Sequence, residues 1–146
     1  MTPSRAVALG AGLAALGVAA GAFGAHGLES VATPDQLETW KTGARYHQLH
    51  AVALVAINLA ALRLPEAVQR RLRGVTWAFV FGIAVFGGTL YGIGLGGPKW
   101  LGAITPLGGL GFIGGWVVLC VQAARGLGDQ EKVGEGETEP PVSGSD

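Results

Sequence analysis

AVALGAGLAALGVAAGAFGAHGL, residues Ala6 to Leu28, carries a single ionisable side chain, His26, at its far end. At 1.5 Å per residue, about 20 helical residues cross a hydrocarbon core of about 30 Å. The same absence of charge recurs between Arg73 and Lys99 and between Lys99 and Arg125. A shorter gap runs from Arg45 to Arg63, with Leu49–Leu62 as its apolar part. The pattern predicts an all-α polytopic membrane protein with four transmembrane helices, at about 6–28, 44–62, 75–96 and 100–124. Only 14% of the 146 residues are charged, against roughly 25% in soluble proteins.

The first run has a competing reading. Arg5, an apolar core and the small residues Ala22–Ala25 resemble a secretory leader with its cleavage zone. The run is longer than the 7–15 residues of a usual leader core, and Gly17 and Gly21 have a spacing suited to helix contact. It is therefore read as a retained first span.

The connection Glu29–Gly43 contains Thr33-Pro34-Asp35-Gln36, a helix-start pattern with Thr33 as cap and Gln36 as the reciprocal group. Leu37 and Trp40 share a face, which predicts a short interfacial helix hinged at Gly43 or continuous with the second span. Residues 1–125 form the membrane domain. From 126 to 146 the chain is rich in Gly, Glu, Pro and Ser and too poor in apolar surface to order itself, which predicts a disordered polar tail.

With four spans, Arg5, Arg63, Arg70, Arg71, Arg73, Arg125 and Lys132 share one side, against Lys41, Arg45 and Lys99 on the other. That asymmetry puts both termini in the cytoplasm. Trp40, Trp77 and Trp100 fall near span ends, where interfacial tryptophans sit.

Many of the 26 glycines recur at four-residue spacing. Gly17 and Gly21, then Gly88, Gly92 and Gly96, then Gly111 and Gly115 each line one face of a span. Lipid is as apolar as leucine, so membrane helices gain from close backbone approach, and small residues permit it. A compact glycine-rich bundle with little room for a wide pore is expected. Gly109, Gly111 and Gly114 match a dinucleotide-binding spacing, but that fingerprint needs a strand before it and an acid after it, and here it lies within an uncharged span.

The three histidines are His26, His47 and His50. His47 and His50 are three apart and point the same way from a helix. The topology gathers all three, with Tyr46, Gln48, Tyr91 and Thr105, toward the non-cytoplasmic leaflet. Such a set either hydrogen-bonds within the bundle as a clasp, binds zinc, copper or a haem iron, or handles protons or a substrate. There is no Ser-His-Asp order, HExxH or carboxylate pair, so no catalytic residue is assigned and no cofactor is specified. The single cysteine, Cys120, lies in an apolar run, which excludes an internal disulfide. Zero formal net charge and no basic stripe argue against nucleic-acid binding.

Four ordered blocks carry a resemblance: GAFGAHGL (Gly21–Leu28), WKTGARYHQLHA (Trp40–Ala51), the Tyr91 region, and WLGAITPLGG (Trp100–Gly109) followed by Gly115-Trp116. Over about Ala6 to Ala124 the chain resembles the bacterial "domain of unknown function 423" membrane proteins, related to transmembrane protein 256 of eukaryotes. Where that family usually has F-S-G-S-L-Y, this chain has Phe86-Gly87-Gly88-Thr89-Leu90-Tyr91, a departure that weakens the case for a chemical role of the family's serines. The resemblance implies a small multi-spanning protein of the bacterial inner membrane, and it carries fold and location rather than a chemistry. The leading expectation is a structural or accessory protein that packs laterally in the lipid bilayer with itself or a larger membrane complex. The alternatives are a metal- or haem-binding membrane protein and a small transporter.

Overall fold

The computed structural model describes residues 1–137, with side chains to Arg125, and is all helical over that range. Helix α1 runs Pro3–His26; Thr2 caps it, its hydroxyl accepting from the Arg5 N–H at 3.4 Å. Helix α2, Pro34–Ala61, starts at the capping box expected from the sequence. Thr33 accepts from the Gln36 N–H at 3.3 Å, and Gln36 Oε1 accepts from the Thr33 N–H at 2.9 Å. Helix α3, Glu66–Gly82, passes through one π-helical turn, Ile83–Gly87, into α4, Gly88–Gly94. Gly96, at φ +85°, turns the chain in the left-handed region that favours glycine. Helix α5 runs Leu101–Glu137. Pro3–His26, Glu66–Gly94 and Leu101–Arg125 are long and apolar enough to cross a membrane.

The sequence leaves the 29–43 connection either hinged at Gly43 or continuous, and the structure takes the second: α2 runs unbroken for 28 residues, with no separate interfacial helix before it. Gly43 serves instead for close approach, since a Cβ there would stand 3.1 Å from the Leu90 Cβ and 3.2 Å from the Tyr91 ring. Helix α3 begins at Glu66 rather than near Val75. Its first turns carry Arg70, Arg71 and Arg73, and Arg70 pairs with Glu66 at 3.0 Å. The expected polar tail, 126–146, lies outside the residues whose side chains are described.

The glycines set the registers. A Cβ on Gly10 would press on Val55, one on Gly17 on Gln48, and one on Gly24 on Trp40, so α1 runs antiparallel to α2 along a seven-residue seam. A Cβ on Gly21, expected on that seam, would meet nothing within 4 Å among the described residues. Four residues advance a helix by about 400°, so Gly21 turns away from a seam that repeats every seven. Along α5, Gly108 abuts the Phe86 backbone, Gly111 meets Phe81 and Ala78, and Gly115 meets Phe79. Gly92 faces Leu101, Gly96 serves the turn, and Gly88 has no neighbour within 4 Å.

α1 packs on α2, α2 on the α3–π–α4 segment, and that segment on α5. The core lies where α2 meets α3 and reaches α5: Ala51, Leu54, Val75, Phe79, Ile83 and Phe112. α1 buries only Ala6, Gly10, Gly17 and Gly24, because tiny residues on one narrow seam leave the rest of its circumference facing outward.

Candidate functional site

His47 and His50 sit at the midpoint of α2, and the α1 register places them level with the middle of α1 rather than with its His26 end. Both are buried, 6% and 2% exposed. Three residues of helix separate their ring directions enough to give them different neighbours.

His50 reaches α5. Its Nδ1 is 2.8 Å from the Tyr46 carbonyl, which can only accept, so Nδ1 carries the ring proton. Nε2 is then the lone-pair nitrogen, and it accepts from the Trp116 indole N–H at 3.1 Å. The ring stacks on Phe112, with centroids 3.5 Å apart, and meets the edge of Phe79 at 5.2 Å. Both nitrogens are engaged in one neutral tautomer.

His47 turns toward α4. Its Nδ1 and the Tyr91 hydroxyl are hydrogen-bonded at 3.0 Å. Among the described residues its buried Nε2 has no hydrogen-bond partner, and the Leu13 backbone of α1 lies beside the ring. Tyr91 packs in turn on Trp40 at 4.5 Å between centroids. The Trp40 indole N–H crosses to α1 and donates to the Ala20 carbonyl at 2.7 Å. Gly24 makes that crossing achievable, since a Cβ there would overlap the indole. Tyr91→Phe is expected to lower thermal stability in detergent by about 1–3 kcal/mol, because it leaves His47 Nδ1 buried and unpaired. An unchanged unfolding midpoint would show that the bond contributes nothing.

His26 stands apart. It is exposed at the end of α1, level with residue 38 or 39 of α2, about 12 Å along the helix from His47. Among the described residues, no group of three His, Cys, Asp or Glu side chains could hold a metal ion. His26, His47 and His50 therefore do not converge, because antiparallel packing stacks residues by depth and not by their distance from a loop. The other residues expected in the polar cluster also separate. Tyr46 lies against Phe86 and His50, Gln48 covers Gly17, and Thr105 bonds Thr89 across α4–α5 at 2.9 Å.

Sequence reasoning misses the partners that matter most. Trp116 lies mid-span, where a tryptophan must bury its N–H, and that position is the one available signal. Asn58 of α2 donates to the Thr76 hydroxyl of α3 at 3.1 Å and to the Leu54 carbonyl of its own helix at 2.9 Å. Trp40, expected at the interface, is buried; Trp77 and Trp100 are exposed. The arrangement can join helices by polar contacts in an apolar slab, and of the four ring nitrogens of His47 and His50 one, His47 Nε2, is left free.

Residues 20–109 match the protein family described as Protein of unknown function (DUF423). The chain is 40% identical over 121 residues to the UPF0382 membrane protein YwdK of Bacillus subtilis, covering 83% of this chain and 97% of that one. It is 36% identical to a UPF0382 membrane protein of Staphylococcus epidermidis, over 84% of this chain and 97% of the relative. A UPF0382 membrane protein of Haemophilus influenzae is 37% identical over 70% of this chain and 79% of its own length. No solved structure matches the chain.

Proposed function

The chain belongs to the DUF423 family of membrane proteins of unknown function, and from that premise we propose a four-span inner-membrane protein with a structural or accessory role. α2 is the fourth span. It lies between α1 and the α3–α4 segment, antiparallel to both, and its 28 residues measure about 42 Å. Its acidic residues, Asp35 and Glu38, fall in the first turns, beyond the end of α1 in the shared register. The excess of arginine at the start of α1 and in the first turns of α3 supports cytoplasmic termini.

The observation that carries the accessory role is the engagement of His50 through both ring nitrogens in one neutral tautomer. Such a histidine joins α2 to α5 and has no nitrogen left to move protons or ligate an ion. The Asn58–Thr76 and Thr89–Thr105 pairs repeat the pattern between other helices. The outward circumference of α1 supplies a lateral surface for a second copy or a larger membrane complex. Extraction from native membranes in mild detergent, followed by native electrophoresis, is expected to give a species larger than the 14.8 kDa monomer in its micelle. Recovery of free monomer alone overturns the lateral-packing role.

A second reading is favoured by one observation, the unpartnered His47 Nε2, which could ligate a metal ion or a haem iron. Elemental analysis and an absorption spectrum of the purified protein test it; absence of both metal and a Soret band ends it.

A further inference from the structure

A groove of about 370 Å³ opens between α1 and α2, walled by Ala14, Val18, Leu49 and Val52, with Arg45 and Gln48 at one end. Val18, Leu49 and Val52 are each more than half exposed, so the groove faces outward. The α1–α2 register sets Arg45 level with Ala20, about 9 Å short of the end of α1 at His26. α1 is 24 residues long, so the Arg45 backbone stands about 8 Å from its middle. A hydrocarbon half-thickness of about 15 Å encloses that level. An arginine at such a depth extends its stem along apolar surface and carries its guanidinium to the headgroup boundary.

Among the described residues nothing neutralises that charge. The one salt bridge there is Arg70–Glu66, far from the groove at the opposite end of the helices. Lys41, one turn nearer the same membrane face, is exposed and adds a second cation on the same side of α2. Gly21 shares the face of α1 with Ala14 and Val18; a Cβ added there would meet no atom within 4 Å among the described residues, so the wall of the groove is low beside the arginine.

We infer that this groove is a binding site for one anionic phospholipid of the leaflet nearer His26. An acyl chain lies along Ala14, Val18, Leu49 and Val52, and the phosphodiester pairs with Arg45 and Lys41. Charge complementarity selects the occupant. A second protein helix would have to bring a carboxylate to the same depth, whereas every anionic phospholipid presents a phosphate at the headgroup boundary. The inference rests on α2 crossing the bilayer.

The full chain is reconstituted in vesicles of equal phosphatidylglycerol and phosphatidylcholine, extracted gently, and its retained lipid measured by mass spectrometry. Wild type is expected to retain phosphatidylglycerol in excess over the bulk ratio. Arg45→Gln is expected to reduce that excess about fivefold, the equivalent of about 1 kcal/mol per cation near a surface. Arg45→Lys keeps most of it. Val18→Trp fills the groove from an outward position, spares the charge, and lowers total retained lipid. A wild-type ratio equal to bulk overturns the site, as does an unchanged ratio in Arg45→Gln. In a Cys120→Ala background, Leu49→Cys in intact vesicles reports on α2 itself. Labelling of the introduced thiol by a membrane-impermeant maleimide overturns the four-span reading and the lipid site with it. Protection of that thiol together with a bulk lipid ratio overturns the lipid site alone.

Discussion

Gly108→Ala is expected to be among the most damaging single-methyl changes in the chain, lowering stability by about 3 kcal/mol. A Cβ at this position would overlap the Phe86 backbone nitrogen and crowd the Phe86 Cα, in the π-helical turn. No rotamer relieves an overlap with main chain, so α5 must move away from the α3–π–α4 segment. That movement would also disturb Gly111 and Gly115, which hold α5 against Ala78 and Phe79. Gly88→Ala and Gly21→Ala supply the control. At both positions an added Cβ would meet nothing within 4 Å among the described residues, and alanine is the better helix former by up to about 1 kcal/mol. Thermal unfolding of the three variants in one detergent should separate Gly108→Ala from the other two. Equal midpoints would mean that α5 does not pack at the distance described.

Trp116→Phe should be nearly as costly, for a chemical rather than a steric reason. It removes the donor to His50 Nε2 and leaves a buried acceptor unpaired in an apolar slab, at about 1–3 kcal/mol. The double variant His50→Phe with Trp116→Phe then becomes informative. Replacing both partners by apolar rings of similar shape removes the orphaned nitrogen, and stability is expected to recover toward wild type. Recovery marks the pair as a clasp. A double variant at least as unstable as the sum of the two single changes would mean that stacking on Phe112, not the hydrogen bond, makes the larger contribution.

The helices are readable because membrane insertion depends on local quantities. An uncharged run of sufficient length identifies α1, α3–α4 and α5 without reference to any other part of the chain. The Thr33–Gln36 cap is likewise a contact between residues three apart, and it forms as its spacing predicts. Failures begin where a residue's meaning depends on which helix lies beside it. Gly17 and Gly21 are equivalent by spacing, yet one meets Gln48 and the other nothing within 4 Å. His26 and His47 both lie near the α1–α2 connection in order, but they differ in depth by about 12 Å. α2 is the hardest helix to read, because Lys41 and Arg45 interrupt its apolar run.

The amino-acid sequence by itself determined the helical class, the apolar segments, the family and the start of α2, since each follows from chain-local charge, length and capping. Only the tertiary structure decided which glycines are seams and which histidines are partners. Side-chain periodicity gives a residue's direction around its own axis, but the partner it meets is set by the register and choice of neighbouring helix. Gly10, Gly24 and Gly108 fix that register by admitting a neighbouring backbone or indole that any larger residue would hold off. His50 finds Trp116 across 66 positions of chain for the same reason.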